Sequence, residues 1–81
     1  MIVMAFFKKR RKARVFLKNL EKKGFTEKGF VVKVDMIRFI GKLEEKQGYT
    51  AIFETEMDME AVKILAASLF PENSIEFISW D

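Results

Sequence analysis

The first apolar block of the chain, Ile2 to Phe7, is unbroken, whereas the next, Ala13, Phe16, Leu17 and Leu20, recurs at intervals of three and four. The two patterns predict different elements. An uninterrupted run with Ile, Val and two Phe suits a strand that is apolar on both faces, and the spaced set is the stripe of an amphipathic helix. One long helix through both blocks fails, because the stripe traced back from Leu20 through Ala13 next meets Arg10 or Lys9. The spacing therefore predicts a strand over 2–7 and a helix from about Arg10 to Lys23. Gly24 supplies its left-handed C-cap, and Lys22 and Lys23 lie beside the negative end of the helix dipole.

The stretch from Gly29 to Gly41 is rich in β-branched and aromatic residues and reads as a strand. Its alternation slips: Phe30, Val32 and Val34 share one face and Ile37 and Phe39 the other, which predicts a bulge near Met36 and Ile37. The polar run "KLEEKQG" is expected to turn the chain into "YTAIFETEM", a strand with Tyr49, Ala51 and Phe53 on one side, closing a hairpin. Asp58 is placed to cap a second helix, with Thr55 to Asp58 as an alternative capping box. The stripe of that helix is Val62, Leu65, Ala66 and Leu69, and Pro71 stops it. "NSIEFISWD" reads as a last strand.

The resulting order is βαββαβ. Two one-sided helices and four strands pack most economically as an α+β, ferredoxin-like sandwich, an antiparallel sheet with both helices on one face. If the first block were not a strand, an αββαβ fold with three strands would remain. At 81 residues, 49% of them apolar, the chain is expected to form a single domain over 1–81 with a core of its own.

Composition removes most chemistries. The chain has no Cys and no His, so it lacks thiolate nucleophiles, Cys-type zinc sites and the usual general base. Serines at 68, 74 and 79 have no histidine to activate them, and "GFTEKG" is followed by Phe30 and Val31 where a phosphate loop needs Lys and Ser or Thr. The expectation is a protein that is not an enzyme and carries no cofactor or metal. Glu54, Glu56, Asp58 and Glu60 alternate in a way that could line up oxygen ligands, but a charged, solvated strand edge accounts for them better. Apolar residues precede the first charges, the reverse of a secretory signal, and "MIVMAFF" is too short to span a bilayer, so a cytoplasmic location without a transmembrane segment is expected.

Charge is where the sequence speaks loudest. Residues 1–40 carry twelve Lys and Arg against three acids, a net +9, and residues 41–81 carry a net −6. "KKRRKAR", from Lys8 to Arg14, places six cations in seven positions, and a helical wheel brings Arg11, Arg14, Lys18 and Lys22 into one ridge that also holds Val15. Lys8, Lys9, Arg10 and Lys12 extend it at the helix start, where positive charge opposes the helix dipole. The leading expectation is a small binding module that presents this basic helix to a polyanion, chiefly nucleic acid through its phosphates. The alternative is a protein-binding regulator or inhibitor that sets the ridge against an acidic protein surface and uses the open sheet face as an apolar anchor, with Val15 on the ridge and Ile78 and Trp80 on the sheet as candidate apolar interface residues. Binding to an anionic membrane surface, and homo-oligomer formation through basic-to-acidic contacts, are the remaining readings.

Overall fold

The computed structural model describes residues 1–39, 42–72 and 75–80, and their side chains outside 35–47. Six elements follow one another: β1 (Ile2–Phe7), α1 (Arg10–Lys22), β2 (Gly29–Phe39), β3 (Lys42–Glu54), α2 (Met59–Leu69) and β4 (Glu76–Trp80). The strands form one antiparallel sheet in the order β2-β3-β1-β4. This is the ferredoxin-like sandwich, and the first apolar block is an inner strand of the sheet, paired with β3 on one side and β4 on the other.

Alternation along β1 decides which face the helices cover. Val3, Ala5 and Phe7 join Ala51 and Phe53 of β3 in a buried cluster with Ala13, Phe16, Leu17 and Leu20 of α1 and Val62, Leu65 and Ala66 of α2. Both helical stripes therefore lie on the same side of the sheet. Four Phe rings knit the layers, with the Phe16 centroid 5.4 Å from Phe7, 5.9 Å from Phe53 and 6.4 Å from Phe77. Edge-on and tilted ring pairs of this kind add about 0.5–1.5 kcal/mol each beyond the area they bury.

Local chemistry sets the helix ends. At the close of α1, Gly24 takes φ +76° and its N–H donates to Glu21 O, while Phe25 N–H donates to Leu20 O. That pair of bonds is the Schellman motif, available to glycine because it has no Cβ to clash at positive φ. Asp58 caps α2 by accepting from Ala61 N–H at 2.9 Å. Thr55 serves another purpose than capping. Its hydroxyl donates to Phe25 O and accepts from Met57 N–H, and Thr26 donates to Glu54 O at 2.6 Å. Both threonines are buried, so these side chains pin the α1–β2 turn to the end of β3.

Two local expectations need correction. "KLEEKQG" is strand and not turn: Lys42 pairs with Phe39 and Glu45 with Met36, and β3 runs unbroken from Lys42 to Glu54. A polar stretch can be strand here because backbone pairing with β2 asks nothing of the side chains. The second correction concerns the acids. β3 lies between β2 and β1, so Glu54 does not mark a sheet edge, and Glu56 and Asp58 lie beyond the strand. A register shift does occur between Val34 and Met36, close to the expected bulge, but one residue of β2 there faces two of β3, so the extra residue belongs to β3 and not to β2. The boundary at Gly41 and the start of the last strand at Asn73 and Ser74 fall outside the described residues.

Candidate functional site

α1 carries most of the expected site. Lys8, Lys9, Arg10, Arg11, Arg14, Lys18 and Lys22 are exposed, as is Val15 at 39%. Lys12 differs, being half-buried with its ammonium 5.9 Å from the centre of the Phe70 ring. The helix start is electrostatically uncompensated: Lys9 occupies the N-cap in extended conformation without a side-chain cap bond, and the first turn has no acid. Asp58 and Glu60 supply both features to α2.

The cations divide between two flanks of the helix. Arg10, Arg14 and Lys18 turn toward the sheet edge and line a groove of about 320 Å³ between α1 and residues 29–31 of β2, together with Leu17 and Glu21. Gly29 makes this approach of helix and strand feasible, since a Cβ there would lie 2.7 Å from Leu17 Cδ2 and 2.8 Å from Ile52 O. Arg11 and Lys22 stay outside the groove. The pattern that sequence reasoning missed is thus i, i+4, i+8 along one helix flank, and its signal was the 10–14–18 spacing beside an edge strand.

The second feature is the sheet face without helices. Register places Ile2, Met4 and Phe6 of β1 beside Glu54, Ile52 and Thr50 of β3 and beside Trp80, Ile78 and Glu76 of β4, and Phe30 and Val32 of β2 continue the row. Most of this face is apolar. Phe30 is 59% exposed and Trp80 46%, while Thr50 is fully buried with no partner for its hydroxyl among the described residues. Ile78 and Trp80 share the open face, but its extent across four strands was not read from the sequence. The signal was β1 itself: a strand apolar on both sides under a single helical layer leaves one side uncovered.

Ridge and open face lie on opposite sides of the sheet, which separates Arg14 and Val15 from Ile78 and Trp80. Among the described residues no group of three acidic, His or Cys side chains is placed to hold a metal ion, and no helix is long and apolar enough to cross a membrane.

No family model matches the sequence, and no curated protein matches it. Solved structures match the fold. CutA1 from Pyrococcus horikoshii aligns with a TM-score of 0.67 over 100% of this chain and 84% of its own, at 26% identity. CutA from Synechococcus elongatus PCC7942, complexed with Bis-Tris, gives 0.71 over 98% of this chain and 77% of its own, at 10% identity. A further structure of that CutA gives 0.68 over 98% and 74%, at 12% identity. These three structures that share the architecture are CutA proteins, which overturns the expectation of a nucleic-acid-binding module, while a protein-binding regulator is only loosely compatible with them.

Proposed function

We propose that this chain is a CutA-like protein that works as a non-catalytic homo-oligomer, with copies covering one another's open sheet faces. The observation that carries the reading is that face: both helices pack on the other side of the sheet, and here Phe30 and Trp80 are exposed and Ile2, Met4, Ile52 and Ile78 half-buried. Apolar patches of this breadth on small proteins mark interaction sites. A second copy is favoured as the occupant because the chain is lopsided in charge, with cations 8–12 at the end of the sheet where β1 stops and acids 54–60 at the end where it starts. Copies related by rotation can set these ends against each other. The likeness to CutA structures over nearly the whole chain supports the same reading, as does the want of any histidine or cysteine for catalysis.

Sedimentation equilibrium tests it. Wild type is expected to run as a multiple of 9.5 kDa, and Ile52→Lys, which puts a charge into the centre of the open face, is expected to run as a monomer that circular dichroism shows to be folded. A monomeric wild type, or an Ile52→Lys variant that keeps the wild-type mass, would refute the proposal.

A further inference from the structure

We infer that the groove between α1 and β2 is a binding site for a small phosphate monoester with an apolar body. Its lining is divided in chemistry. Arg10 and Arg14 are four residues apart, about 6 Å along the helix axis, and their long side chains can converge on one anionic head. Arginine forks match phosphate oxygens bidentately, and such charge-assisted hydrogen bonds are the strong ones. Neither arginine is engaged by an ion pair among the described residues, and the first turn of α1 holds no acid to compete for them.

Beyond the arginines the lining combines apolar Leu17 and Val31 with Lys18 and Glu21 further along α1. Leu17 and Val31 offer a contact surface to a ring or short alkyl group. Glu21, three residues from Lys18 on the same helix, offsets its charge, so the net positive charge of the lining rests on Arg10 and Arg14 and favours a ligand whose charge is concentrated at one end. About 320 Å³ is at the lower bound of small-molecule sites, which suits a compact monoester and excludes a long polymer from lying within it. The arginines, Leu17 and Val31 lie on the helix side of the sheet, so binding here does not depend on the proposed assembly through the open face.

Amide NMR titration with three probes tests the inference: phenyl phosphate for head and body, inorganic phosphate for the head alone, and benzyl alcohol for the body alone. Phenyl phosphate is expected to shift amides of α1 and of residues 29–31 and to bind about tenfold more tightly than inorganic phosphate, from burial of the ring. Benzyl alcohol, without the head, should bind more weakly than phenyl phosphate. Arg14→Gln should weaken both phosphates about tenfold, Arg14→Lys should restore part of the loss, and Lys63→Gln on the exposed face of α2 should change nothing. Equal affinity for the two phosphates, shifts scattered over every cationic surface, or equal effects of Arg14→Gln and Lys63→Gln would each overturn it.

Discussion

Gly29 shows how a single missing side chain sets the distance between two elements. A methyl group there would meet Ile52 O at 2.8 Å, and a backbone carbonyl in a paired strand cannot step aside as a flexible side chain can. Gly29→Ala is therefore expected to destabilise the protein by about 1–3 kcal/mol, the usual cost of overpacking, as measured by urea unfolding. An unchanged midpoint would show that α1 is free to lift from β2. This role was not legible in the sequence, where Gly29 reads as a strand boundary, because the constraint comes from Leu17 and Ile52, both distant along the chain. The same holds for Thr26 and Thr55, whose hydrogen bonds join segments that no local pattern connects. Gly24 and Asp58, by contrast, act on their own helix ends and were readable from spacing alone.

At the scale of elements, periodicity located both helices and the first and last strands, since each sends side chains into the same core. It failed at "KLEEKQG", where the strand is held by pairing and has no apolar alternation to read. α1 also keeps an evident flaw: cations crowd its positive end, and Lys9 stands at the N-cap with φ −121° and ψ 132°, a conformation ready for a capping side chain. Lys9→Asp should supply the missing cap and relieve the dipole, raising stability by about 1 kcal/mol. For a domain of this size that corresponds to a rise in Tm of about 4–8 °C by circular dichroism. A fall in Tm would mean that Lys9 makes a stabilising contact of its own.

The whole molecule, 32 × 27 × 21 Å, is a two-layer sandwich that lacks a third layer. Its charge asymmetry was plain from the sequence, but the partner that asymmetry serves was not, because charge alone does not distinguish a phosphate backbone from another copy of the chain. The open face favours self-assembly, and Trp80, the one tryptophan, stands on it as a built-in probe. The most direct measurement is acrylamide quenching of Trp80 fluorescence across a range of protein concentrations. A lone chain leaves this residue 46% exposed, so assembly should protect it from quencher and shift its emission to shorter wavelength at high concentration. A Trp80 that stays fully accessible to acrylamide at the highest concentration would contradict self-assembly through this face.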